Sequence, residues 1–165
     1  MYKTVRPIIN PQVRALCVKP YPLHPHGCPN FGKKPGCPPA APLLSEVLDL
    51  TKPTWVIWSF FDFAGHVKKM KALHPAWSER QLACCLYWQP RARQNLAAAV
   101  QEFIRACPHQ TVKILMCPEA CGVDITSTMA CIGVTLEWPP QNITHQVALA
   151  GIPHAAKDVA AWSKK

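Results

Sequence analysis

Two cysteines, Cys28 and Cys37, stand in the stretch HGCPNFGKKPGCPP at residues 26–39, each followed by proline, where proline and glycine interrupt any core strand or helix. Two more, Cys117 and Cys121, stand in CPEACG directly after an apolar run. Thiolates can organise a loop that lacks apolar surface of its own, and four that converge suit tetrahedral zinc or a four-iron cluster. Neither spacing is the compact C-x2-C of a zinc ribbon or the repeated ferredoxin pattern. A proline after Cys28, Cys37 and Cys117 fixes the chain while neighbouring amides stay free to bond sulfur, which favours a 4Fe-4S iron–sulfur cluster over zinc.

Cys17 and His24 are the alternative metal ligands. His26 shares the loop with His24; either can bind a metal or donate to a cluster sulfur, and an exposed polar group is the leading reading of both. Glu119, between Cys117 and Cys121, is the candidate catalytic group: held beside a site, its carboxyl can move a proton or orient a substrate. Cys131 lies in a short apolar helix, and Cys84, Cys85 and Cys107 fall in longer helical patterns, where a thiol is a small packing group. Asp62 and His66 close a buried strand and fit either a pocket or a cap. No serine, histidine and carboxylate set comes together, and neither GKKPG nor GVDITST has the glycine and lysine spacing of a phosphate loop.

The elements that must position these groups follow from periodicity. Ten of the eighteen prolines fall in the first 42 residues, which read as an ordered wrap with a short strand at VRALCV, 13–18. LLSEVLDL carries a short helical stripe. Trp55 to Phe61 reads as a strand buried on both faces, and TVKILM and HQVALAGIP supply two more. Helices are predicted over His66–Leu73, over Ser78–Trp88 with Ser78 as cap, and beyond Pro90 through Leu96, Val100, Phe103 and Cys107. Asp124 or Thr126 starts a last short helix. The order fits a compact α/β fold: a single-domain sheet over residues 1–165, flanked by helices, with a proline- and cysteine-rich segment at 1–42.

At 165 residues, about half of them apolar, the chain fills one core. The sequence shows no apolar run of membrane-spanning length and no secretory pattern at its start, which predicts a cytoplasmic protein with reduced thiols and no membrane contact. The net charge of +9 is uneven: residues 1–42 hold six basic side chains and no acidic one, a region that can attract nucleic acid, an acidic protein or an anionic small substrate. Without a dense basic helix or local interleaving of aromatic and basic residues, nucleic acid is the weaker of these partners. Trp77 and Trp88 read as buried, and Trp162 as a surface or packing residue of the tail.

GCPNFGKKPGCPP, followed by MCPEACGVDITSTMACIGVTLEWPP and VALAGI, resembles a family of small prokaryotic proteins of unknown function described as predicted metal-binding proteins, over roughly residues 13–152. The resemblance implies that Cys28 and Cys37 are its two motif cysteines. Family members often carry a further cysteine just before them; here His24 stands in that neighbourhood and Cys17 lies further upstream. The resemblance implies a metal but no reaction. The combined expectation is an iron–sulfur protein in electron transfer or in redox or sulfur-transfer chemistry on a protein redox partner or small-molecule substrate. The alternatives are a zinc-stabilised module that binds nucleic acid or an acidic protein, and a thiol redox protein using Cys117 and Cys121. Oligomeric state and substrate are not read from the sequence.

Overall fold

In a computed structural model that describes residues 1–21, 24–108 and 111–154, the chain forms a four-stranded sheet of order β1-β2-β4-β3, antiparallel throughout. The strands are β1 (Tyr2–Val5), β2 (Thr54–Asp62), β3 (Lys113–Leu115) and β4 (Ile143–Gly151). β2 and β4 pair along their whole length, from Thr54 opposite Gly151 to Asp62 opposite Ile143. The helices are α1 (Leu44–Val47), α2 (Phe63–Leu73), α3 (Glu79–Leu82), α4 (Cys85–Ala106) and α5 (Ile125–Ala130).

Strand alternation divides the core into two layers. Val56 and Leu149 point to one face and pack with Leu44, Leu48, Val123, Ile125 and Met129. Ile57, Ala148 and Ala150 point to the other and receive Leu96, Val100 and Phe103 of α4, a stripe at helical spacing. β2 is enclosed on both sides only in its first half; its second half opens until Phe60 is more than half exposed. A smaller cluster of Phe63, Trp88 and Ala92 anchors the start of α4 beside α2.

Three segments differ from the sequence expectation, each for a local reason. VRALCV is not a strand but part of a 3-10 helix, Pro11–Val18: Pro11 lies in its first turn and Asn10 caps it by accepting from the Gln12 amide. The predicted helix 78–88 is split at Ala83 and Cys84, so that Ser78 and Gln81 form a capping box for α3 alone, and α4 begins at Cys85 and runs through Pro90. The N-terminal residues YKTV, with no apolar run, add an edge strand to β2.

The wrap is drawn tight at Gly27. Its φ is +76°, and a Cβ there would lie 2.6 Å from the Cys17 carbonyl oxygen. Gly27→Ala is therefore expected to destabilise the protein by at least the left-handed penalty of about 1–2 kcal/mol, with hydrogen exchange rising first at the Cys28 amide; unchanged protection there would contradict this packing.

Candidate functional site

The N-terminal segment is sewn onto the turn after β3. The Asn10 amide donates to the Gly122 carbonyl (2.8 Å), the Asp124 amide to the Ile8 carbonyl (2.8 Å), and the Ile8 amide to Thr128 Oγ1 (2.9 Å). Gly122 makes this turn at φ +82° after a short 3-10 helix, Pro118–Cys121, and Asp124 then caps α5 by accepting from the Ser127 amide. Arg14, on the first 3-10 helix, reaches back: its Nη2 donates to the carbonyls of Pro39 (2.9 Å) and Ala41 (2.7 Å). The Cys28 amide donates to the Cys17 carbonyl (2.7 Å) and closes the loop between them.

This sewing does bring the predicted residues into one neighbourhood. Burial raises the Cys17 thiol pKa, and the Cys28, Cys37 and Glu119 charges push it further, against Arg14. Burial likewise raises Cys117, with Glu119, Cys37 and Cys17 adding to it and Arg93 opposing. Cys117 and Glu119 keep exposed surface yet are desolvated by the surrounding protein. Glu119 is pushed above its ordinary 4.5 by that desolvation, with its own amide opposing.

Neighbourhood is not coordination. Among the described residues no group of three or more His, Cys, Asp or Glu side chains is placed to hold a metal ion. The expected iron–sulfur or zinc site, with Cys28, Cys37, Cys117 and Cys121 as ligands and Cys17 or His24 as substitutes, is therefore corrected. The metal-binding function and the family resemblance that implied it fall with that site. The physical reason lies in side-chain direction. Cys121 turns into the apolar layer with Leu44, Val123 and Met129, Cys117 stays at the surface, and Cys17, His24 and Cys28 line a separate pocket. The thiol redox alternative fails similarly: all nine cysteines are free, and Cys117 and Cys121 lie in unlike environments with both pKa values raised, chiefly by burial, where a reactive pair needs one lowered. Cys85 and Cys107 pack against the second and third core clusters, Asp62 caps α2 through the Gly65 amide, and His66 lies beside Phe61.

No family model, curated protein or solved structure matches the chain. Among the described residues, no helix is long and apolar enough to cross a membrane.

A second feature was not legible in local sequence. Residues 1–42 and 64–94 together hold twelve of the eighteen basic side chains and one of the nine acidic ones, so the rest of the chain is net negative. The two segments meet where Arg80 of α3 lines a surface depression with Pro20, Tyr21 and Pro25 of the wrap. Two aromatic groupings belong to these segments or touch them. Tyr21 lies 4.6 Å from His24 and 6.3 Å from Trp138, centroid to centroid, and Trp138 is 69% exposed. Around the α3–α4 corner Trp77 is stacked against His74 (4.0 Å) and Tyr87 (4.9 Å), with Tyr87 and Leu86 exposed. Lys71 fixes this stack by donating to the carbonyls of Pro75 and Trp77, and Trp88, buried against Phe61 and Phe63, turns its neighbour Tyr87 outward. Trp77 is thus half-exposed rather than buried; Trp162 lies outside the described residues.

Two pH effects follow. Glu119 has a raised pKa, so its ionisation penalises the fold as pH rises from the ordinary 4.5 through the folded value. Glu119→Gln should therefore stabilise the protein above that value and lose its advantage below 4.5 in urea unfolding; an equal effect at both ends would contradict the desolvation. Glu137 is the opposite case. It accepts from the amides of Gln141, Asn142 and Ile143, which hold its pKa down to about 2. The turn presenting Trp138 should be fully stabilised above 4.5 and loosen as pH falls toward 2, read as a change in Trp138 fluorescence that Glu137→Gln abolishes.

Proposed function

We propose that the protein binds single-stranded nucleic acid along the face that runs from Trp138 and Tyr21 across Arg80 to Tyr87. The observation that carries this reading is that exposed or half-exposed aromatic groups accompany the basic segments: Tyr21, Trp77 and Tyr87 lie within them, and Trp138 lies 6.3 Å from Tyr21. Strand binding without sequence preference needs those two ingredients: cations that follow the phosphates and ring faces on which bases stack. Lys68, Lys69, Arg80, Arg91 and Arg93 are exposed on α2, α3 and α4, and Glu79 is the single acidic residue of 64–94. The tilted, separated aromatic groups suit unpaired bases better than the edges of a duplex, and no metal is needed to assemble them.

A second reading is favoured by Glu119. A carboxyl whose pKa burial raises is suited to general acid–base chemistry, and it stands beside the cysteine-lined wrap, where an anionic small-molecule substrate would meet positive potential. On that reading Glu119 exchanges a proton with the substrate, and Glu119→Gln removes turnover while leaving binding intact.

Fluorescence anisotropy with a labelled poly-dT strand of about 12 nucleotides tests the first reading. Binding is expected at low salt and should weaken steeply between about 50 and 200 mM salt. Loss of one stacked base in Tyr87→Ala should weaken it by about 5- to 150-fold, corresponding to about 1–3 kcal/mol per base. Absence of binding at about 50 mM salt would overturn the reading.

A further inference from the structure

The loop of the wrap encloses a pocket of about 490 Å³ that the stacking face does not use. Its walls come from both limbs of the wrap, Cys17 and Val18 on one side and the segment from His24 to Lys33 on the other. Gly27 brings the limbs into contact, since even a Cβ there would strike the Cys17 carbonyl and Val18. The volume lies within the range of about 300–1,000 Å³ typical of small-ligand sites.

The lining chemistry is one-sided. Lys33, His24 and His26 bring nitrogen donors, Phe31 a ring, and Cys17 and Cys28 polarizable sulfur, while among the described residues none of the lining side chains is acidic. Such a site favours an anion of concentrated charge. A phosphate monoester carries about −1.5 to −2 near neutral pH, more than the single charge of the diester linking two nucleotides. Pro25 belongs both to this pocket and to the depression that holds Tyr21 and Arg80, so the pocket opens onto the stacking face. His24 links them again, lining the pocket while its ring lies against Tyr21. A strand lying on the face would bring its end to the pocket mouth, and walls on two sides suit a chain end better than a strand that must continue.

We infer that the wrap pocket binds the terminal phosphate monoester of a single strand, with Lys33 as its principal cation and His24 and His26 as hydrogen-bond donors. The protein is then an end-recognising binder, which rests on the nucleic-acid reading above. Phosphate chemistry alone does not distinguish a 5′ from a 3′ end, so the test carries both.

The experiment compares strands of one sequence that are 5′-phosphorylated, 3′-phosphorylated or unphosphorylated, with inorganic phosphate as competitor. One phosphorylated end should bind about tenfold more tightly, equivalent to about 1.4 kcal/mol. Lys33→Ala should abolish that preference, whereas Lys34→Ala, which removes the same charge outside the pocket lining, should keep it. Tyr87→Ala should weaken all three strands alike and leave the ratio unchanged. Equal affinity for the three strands would overturn the pocket assignment and leave the stacking face standing. A preference lost equally in Lys33→Ala and Lys34→Ala would overturn it as well, because general charge would then explain it. Failure of every strand to bind, with inorganic phosphate alone binding, would overturn the nucleic-acid reading and the end recognition together.

Discussion

The guanidinium of Arg14 is the interaction on which the N-terminal wrap, residues 7–42, depends. Residues 7–42 have little apolar surface to bury and many prolines that cannot donate hydrogen bonds, so sheet pairing cannot order them. Arg14 replaces that order with a charge-assisted clamp on the Pro39 and Ala41 carbonyls, which ties the end of the wrap to its beginning. The Asn10 bond to Gly122 then ties the beginning to the turn after β3. The wrap pocket and the position of Tyr21 beside Arg80 lie within the segment this closure holds. The same guanidinium is a counter-charge for Cys17 and Cys121, so one residue has a structural and an electrostatic part in the site.

The cysteines occupy a different place in the account from the one their spacing suggests. They are gathered closely enough to influence one another, yet burial and neighbouring negative charge raise the pKa values of Cys17, Cys117 and Cys121, and the side chains divide between core, surface and pocket wall. In that arrangement they act as compact, polarizable packing groups in a segment with few aliphatic residues. What remains chemically distinctive is the segregation of charge. Two positive segments, far apart in sequence, meet where Arg80 lies beside Pro20, Tyr21 and Pro25, and Tyr21 supplies there a ring face that lysines and arginines alone do not.

Much of the scaffold was legible in the sequence. The apolar run from Trp55, the VALAG segment of β4 and the Leu96–Phe103 stripe each carry their period openly, and Ser78 and Asp124 announce their helices as caps. The largely apolar run 13–18 fits a strand as well as a 3-10 turn, and the deciding groups, Asn10 and Pro11, lie just outside it. The edge strand β1 was not legible because its four residues give little periodic signal. At the site, sequence proximity placed Cys117, Glu119 and Cys121 together but carried nothing about side-chain direction, which the core settles by drawing Cys121 inward. The aromatic pairs were illegible for the opposite reason: Tyr21 meets Trp138, and Trp77 meets Tyr87, across sequence distances that only the fold closes.

Whether the wrap and the α3–α4 corner together receive a nucleic-acid strand is tested by mapping amide shifts by NMR during titration with a short poly-dT strand. Saturable shifts confined to Tyr21, His24, Arg80, Tyr87, Trp138 and their neighbours are expected. Saturable shifts centred instead on β1 and the C-terminal half of α4, or no shifts at low salt, would contradict the nucleic-acid reading.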